Sequence, residues 1–280
     1  MEELSRIVNN LNLSEPLMIV GLMMTRILSM IWLVPFLGGK LVPAQVKIGI
    51  GLALGILMYP MLSDANVVEP IFRPVGPSFP FALRFIGYVI KETFVGFLLG
   101  FIILSIWFIA EMVGRFIDTA RGSAMGSSLV PQMQASTSQI GTLYYQLLIV
   151  VFFAVDGHLV FIEYFMRSYL IVPFAGFPRF DTGLWPLFEM VGRLSSHLFF
   201  ASLTLSAPVM IAIFITDMCM GLFNKVAPQL NVMFLMMPFK AMLGVLFAML
   251  SLALLVQQSE IIMAKTLNQL WTVIQYLRPF

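Results

Sequence analysis

Charge is what this sequence has least of. Only 11% of its 280 residues are Asp, Glu, Lys or Arg, while 60% are hydrophobic, and the mean hydropathy is +0.95. A soluble domain carries about 25% charged residues, and a chain this poor in charge could not cover itself with polar surface. The class is integral membrane with several spans. Alternating segments of about ten residues are also lacking, which excludes a β-barrel in favour of a helical bundle. Cysteine is limited to Cys219, which cannot close an internal disulfide and has no His or Cys at metal-ligand spacing, so it reads as a packing residue. His158 and His197, with the few acids, form no triad or paired-carboxylate pattern. Walker loops, dinucleotide fingerprints, zinc spacings and nucleophile elbows are missing too. The expectation is therefore no enzyme, no metal and no cofactor. The 16 Lys and Arg residues are scattered and the net charge is only +2, which excludes a nucleic-acid partner. The first residues, MEELSRIVNN, lack the basic region of a cleavable signal, so the first apolar segment is expected to stay as a helix.

What is present is a series of about six hydrophobic helices, several kinked or broken, in an all-α integral membrane protein. The segments run over 16–37, 46–62, 81–113, 140–172, 191–223 and 230–256, followed by an amphipathic helical tail over 257–280. The whole chain reads as a single membrane domain: N-terminal helices over 1–113, a central polar loop over 114–141, helical hairpins over 142–256, then the tail. Arg26 lies near the middle of the first segment, where a charge must face protein or water; it is either paired inside the bundle or in contact with something transported. Gly51 with Gly55, and Gly96 with Gly100, have the small-xxx-small spacing that lets helix backbones approach. Arg84 and Lys91 share a face of the third segment, and Glu92 is adjacent to Lys91. Asp156-Gly157-His158 breaks the fourth segment at a turn signal. Glu163 and Arg167 stand at i, i+4 as a neutralising pair. Asp217 and Lys240 lie at comparable distances from the polar connection 224–229, which includes Pro228, and would pair between antiparallel helices.

The stretch 114–141, GRFIDTARGSAMGSSLVPQMQASTSQIG, is anomalous: small and polar between two very apolar runs. Glu111, Arg115, Asp118 and Arg121 form a ladder of alternating sign if the preceding helix continues into it. Beyond Gly122 the residues do not favour helix, and Pro131 interrupts again. Polar backbone at membrane depth must be buried in protein or line a water-filled path. The stretch is thus either a solvated loop or a re-entrant element lining a conduit.

Three quoted stretches, in order, resemble one family: PFLGGKLVPAQVKIGIG at 35–51; GRFIDTARG at 114–122 with Pro131 and QASTSQIG at 134–141; and SAPVMIAIFITDMCMGLFNKVAPQLNV at 206–232, with Phe239-Lys240 beyond. The family is the type III secretion export gate, which includes the flagellar R-type and the injectisome T-type proteins. Asp-x-x-Arg-Gly at 118–122 is closer to the injectisome branch. The resemblance implies a multi-pass inner-membrane subunit packed into a larger helical export-gate cone with R-type and S-type subunits. It also implies contact with the U-type switch protein and passage of unfolded secreted proteins. It makes Asp118, Arg121, Gly122, Met125 and Pro131 candidates for a pore plug. Arg26, Gly51, Gly55, Gly96, Gly100 and Pro228 become candidates for subunit packing, and Glu111–Arg115, Glu163–Arg167 and Asp217–Lys240 structural charge pairs. A flagellar R-type subunit is the alternative. A secondary transporter of a small solute is disfavoured by the lack of an internal repeat.

Overall fold

The computed structural model describes residues 14–39, 42–64, 81–123, 138–174, 176–178, 185–226 and 232–279. Every regular element among them is a helix. In chain order these are α1 (Ser14–Ile31), α2 (Pro35–Gly38), α3 (Ala44–Asp64), α4 (Phe81–Ala120), α5 (Gln139–Ala154), α6 (Gly157–Ile171), α7 (Trp185–Val226) and α8 (Val232–Tyr276). Met125, Pro131 and Pro228 lie outside the described residues.

Ala44–Leu62, Leu83–Ala120, Trp185–Val226 and Met237–Tyr276 are each long and apolar enough to cross a bilayer, and α5 with α6 forms a broken pair that adds a fifth crossing if it serves as one span. The first apolar segment differs from its expected extent. It stops at Ile31, passes through a turn, and restarts as the four-residue α2. Pro35 explains the restart: it sits at the start of α2, where its missing N–H is no loss, and holds Val34 extended (φ −79, ψ 118). The helix that remains has 18 residues, about 27 Å at 1.5 Å per residue.

Other elements run further than their apolar segments. α4 has 40 residues, about 60 Å, because Val113 and Ile117 keep a buried stripe going past residue 113. The tail is no separate helix. It is the continuation of the 45-residue α8, whose sequence holds neither Gly nor Pro after Gly244. α7 begins at Trp185, with Pro186 in the first turn. The fourth apolar run breaks at Val155-Asp156, where Asp156 takes φ 56.

Two compact units divide the chain. The first comprises residues 1–104, 158–183 and 266–280. Its core includes Leu22, Met23, Ile27, Val95, Leu99, Phe161, Tyr169 and Ile274. Here α1 nests against α3 and α4 at glycines. A Cβ on Gly51 would lie 3.2 Å from Leu28 and one on Gly55 3.9 Å from Ile27. One on Gly96 would collide with Ser29 Oγ and the Arg26 carbonyl, and one on Gly100 would lie 3.1 Å from Leu33. These glycines therefore let helices of this chain approach one another. The second unit comprises residues 105–157 and 184–265, with Trp107, Ile117, Tyr144, Leu148, Phe152, Leu198 and Ala248 in its core. Trp107 and Phe152 meet edge to face at 5.2 Å. Along α7 and α8 the exposed side chains are themselves large and apolar, among them Phe214, Met218, Leu222, Met242 and Leu250, as an apolar solvent allows.

Candidate functional site

The polar stretch is organised around Asp118, in the last turn of α4. Its Oδ1 accepts Arg121 Nε at 2.7 Å. Its Oδ2 accepts the Ser138 hydroxyl at 2.5 Å and the Ile140 backbone N–H at 3.2 Å. Ser138 is the N-cap of α5: its Oγ accepts the Gly141 N–H at 2.8 Å. The first N–H groups of any helix have no partner within it. Ser138 satisfies one of these donors on α5 and Asp118 a second, and a carboxylate is also the favoured charge at the positive end of the helix dipole. The Asp118 side chain is 6% exposed, so its hydrogen bonds form away from bulk water.

Around this carboxylate the stem of the stretch is tied at both ends. Ser123 Oγ donates to the Asp118 carbonyl at 2.9 Å, and Arg121 Nη2 donates to Gln139 Oε1 at 3.2 Å. Gly122 closes the turn after α4 with φ +83, which only glycine adopts cheaply. Just below, α4 and α5 touch backbone to backbone. A Cβ on Gly114 would collide with the nitrogen and Cα of Gly141, and one on Gly141 would lie 3.1 Å from the Glu111 carbonyl. The two glycines that bound the stretch in sequence thus form its crossing point. Further support comes from α8: Gly244 leaves room for the Arg121 stem, and Tyr144 donates to the Ala248 carbonyl at 2.8 Å. Residues 118–123 and 138–141 are brought together in this way, so both ends of the intervening 124–137 are anchored at one carboxylate.

The charge pairs are placed as follows. Arg115 Nη2 lies 2.7 Å from Glu111 Oε1, and Arg167 Nη2 lies 2.7 Å from Glu163 Oε1, both pairs on exposed helix surface. Lys240 Nζ lies 2.7 Å from Asp217 Oδ1 and 2.8 Å from Oδ2, linking α7 and α8.

Arg26 belongs to a separate cluster in the first unit, entirely buried. Its Nε donates to Glu92 Oε2 at 2.5 Å, Nη1 to Ser168 Oγ at 3.2 Å and Nη2 to the Val172 carbonyl at 2.9 Å. Its guanidinium also lies over the Tyr169 ring at 4.2 Å. Lys91 Nζ lies 2.7 Å from Glu92 Oε1 and donates to the carbonyls of Pro173, Phe174 and Gly176 at 2.7, 2.8 and 3.2 Å. The neighbours of Arg26 are therefore protein groups of this chain. The roles of Glu92, Lys91 and Ser138 as partners do not follow from sequence spacing. The one sequence signal is that Lys91 and Glu92 interrupt an apolar run, where ionisable residues must find partners. Among the described residues, no three His, Cys, Asp or Glu side chains stand where they could hold a metal ion.

Comparison with known proteins agrees with this membrane architecture. Residues 17–266 match the family described as bacterial export proteins, family 1. The secretion system apparatus protein SsaT of Salmonella typhimurium is 28% identical over 239 residues, 85% of this chain and 88% of that protein. The Yop proteins translocation protein T of Yersinia pestis is 30% identical over 230 residues, 82% of this chain and 84% of that one. The flagellar biosynthetic protein FliR of Bacillus subtilis is 27% identical over 219 residues, 78% of each chain.

Proposed function

The chain belongs to the bacterial export proteins, family 1, a multi-pass protein of the inner membrane, and from that premise we propose that it is the T-type subunit of a type III secretion export gate. In this reading it forms part of the pore through which unfolded proteins leave the cell, and the polar stretch 114–141 plugs that pore. It does so with R-type and S-type gate subunits and the U-type switch protein as partners. It carries out no chemistry of its own.

The observation that supports the plug is the Asp118 anchor. A pore plug needs a polar tip on a stem that does not wander, and Asp118 fixes the residues on both sides of the tip to one carboxylate. Arg121 and Gly122 then act as stem residues, with Met125 and Pro131 on the tip side. Deleting residues 122–134 is expected to leave assembly with the partner subunits intact and to make the closed gate conduct ions. Unchanged closed-state conductance, measured in planar bilayers, would remove the plug assignment while leaving the gate assignment standing.

The likeness to FliR favours a second reading, an R-type subunit of a flagellar export gate. The Asp-x-x-Arg-Gly sequence at 118–122 favours the injectisome. Co-purification decides: whichever set of gate subunits forms a stable complex with this chain identifies the apparatus. A monomer that transports a small solute in liposomes would overturn both.

A further inference from the structure

The polar turn that follows α6 is built in a way an ordinary ion pair does not require. Lys91 and Glu92 lie 2.7 Å apart and would pair without any help. Yet three backbone carbonyls, of Pro173, Phe174 and Gly176, also converge on the Lys91 ammonium. Converging carbonyl oxygens repel one another, and a positive charge between them offsets that repulsion. The same reasoning explains ion filters, where carbonyls replace a cation's hydration shell. Here the oxygens stand 2.7–3.2 Å from the nitrogen, the Glu92 carboxylate included. The site sits beside the negative end of the α6 dipole, with the Val172 carbonyl already taken by Arg26. The Gly176 N–H closes the turn onto the Pro173 carbonyl at 3.2 Å.

The geometry points to a monovalent-cation site formed by the carbonyls of Pro173, Phe174 and Gly176 with Glu92, which the chain fills with its own Lys91 ammonium. The bound charge, more than the Lys91–Glu92 pairing, holds the turn on α4. The ligand class follows from the occupant: an ammonium ion reproduces the Lys91 head and potassium is close to it in size, whereas sodium is smaller and needs shorter contacts than the 2.7–3.2 Å seen here. Two neighbouring contacts depend on the turn being held. Phe177 stacks on Tyr88 at 5.5 Å, and Pro279 packs against Gly176.

Lys91→Ala tests this, because alanine removes the charged head together with the stem, whose end would otherwise crowd an ion in its place. The full-length protein is purified in detergent and exchanged into ammonium, potassium, sodium or N-methylglucamine chloride at one ionic strength. Melting is followed by tryptophan fluorescence, and amide hydrogen exchange is read over residues 172–178. The unsubstituted protein is expected to behave alike in all four salts. Lys91→Ala is expected to melt at least about 3 °C higher in ammonium or potassium than in sodium or N-methylglucamine, and to regain slow exchange in the turn only there. Equal behaviour of Lys91→Ala in all four salts overturns the site, as does protection of the turn in N-methylglucamine equal to that of the unsubstituted protein. Cells supply abundant potassium while the chain folds, so a Lys91→Ala protein that fails to accumulate at all also overturns it.

Discussion

The N-terminal end of α5 and the C-terminal end of α6 face the same difficulty with opposite signs. A helix start leaves N–H groups without partners and a helix end leaves carbonyls, and neither can be left so in apolar surroundings. At the start of α5 one anion, Asp118, accepts the Ile140 N–H and the hydroxyl of Ser138, which in turn accepts the Gly141 N–H. Beyond the end of α6 two cations, Arg26 and Lys91, take up the carbonyls of residues 172–174 and 176. Each charge matches the helix dipole at its end. The difference lies in reach and burial. Asp118 works with Arg121 three residues on and Ser138 twenty residues on, and the Asp118 and Arg121 side chains are 6% and 9% exposed. Arg26 reaches Glu92, Ser168 and Val172 across 66 to 146 residues, and both Arg26 and Glu92 are 0% exposed. The first arrangement can be given up locally. The second cannot be given up without opening the first unit.

Glu92→Ala puts that contrast under the largest load. It leaves the Arg26 guanidinium buried with no carboxylate and takes one oxygen from Lys91. Removing one partner of a buried ion pair costs about 3–5 kcal/mol. Glu92→Ala is expected to abolish accumulation of the full chain or to lower its melting temperature by about 10 °C, read by tryptophan fluorescence in detergent. A loss under about 1 kcal/mol would show that water reaches Arg26 and that the cluster is not the dry keystone its burial indicates.

Asp118→Ala comes second, with an expected loss of about 2 kcal/mol from one helix cap and one charged hydrogen bond. The effect should be confined in place: amides at the start of α5 exchange faster while those of α6 do not change. An Asp118→Ala loss as large as that of Glu92→Ala would break the comparison, because a local stem would then be holding up the fold. Asp118→Asn separates cap from charge. It keeps an acceptor for Ser138 and Ile140 and gives up most of the attraction for Arg121, so it is expected to lose less than Asp118→Ala and more than nothing.

The same contrast marks what the sequence could tell. The ladder Glu111, Arg115, Asp118, Arg121 was legible because its contacts are one turn apart, and the chain keeps both Glu111–Arg115 and Asp118–Arg121. The break in the fourth segment was legible from Asp-Gly, and the structure turns at Val155-Asp156. Membrane character is legible from composition, and helical class from the length of the apolar runs. The partners of Arg26 were not legible, because nothing local to residue 26 indicates which distant helix supplies Glu92. Helix ends are not legible from apolar runs, because α4, α7 and α8 continue beyond them. Gln257, Gln258 and Glu260 lie exposed on an unbroken α8, so polarity there marks a change of surface, not a boundary. Ser138 was passed over because a serine in a polar stretch carries no distinguishing pattern until its helix start is known.

The Asp217–Lys240 pair stands between the two extremes, since its side chains are 40% and 18% exposed. It joins two helices, as the Arg26 cluster does, but at the surface, as an i, i+4 pair does. A coupling of about 1 kcal/mol is expected from a double-mutant cycle with Asp217→Asn and Lys240→Met. The charge swap Asp217→Lys with Lys240→Asp should recover most of what either single reversal loses. A swap no better than the single reversals would mean that a third group, not this pairing, fixes one of the two residues.

The smallest effect is expected at Glu163–Arg167, and it defines the lower end of the scale. Both side chains are more than half exposed, at 52% and 53%, and the contact joins neighbouring turns of α6. Such pairs contribute about 0.3–0.5 kcal/mol in water and less in salt. Arg167 has a second contact, its guanidinium 5.9 Å from the Trp271 ring centroid, at the outer limit of a useful cation–π approach. Glu163→Gln removes only the ion pair, whereas Arg167→Gln removes both. Glu163→Gln is therefore expected to leave the melting temperature within about 1 °C of the unsubstituted protein, and Arg167→Gln to lower it slightly further, with the excess insensitive to salt. If Glu163→Gln alone produced a loss comparable to Asp118→Ala, exposure would be a poor guide to the strength of charge pairs in this chain. The ranking of the two helix ends by burial would then have to be replaced by one based on which apolar surroundings each pair meets once the membrane and partner subunits are in place.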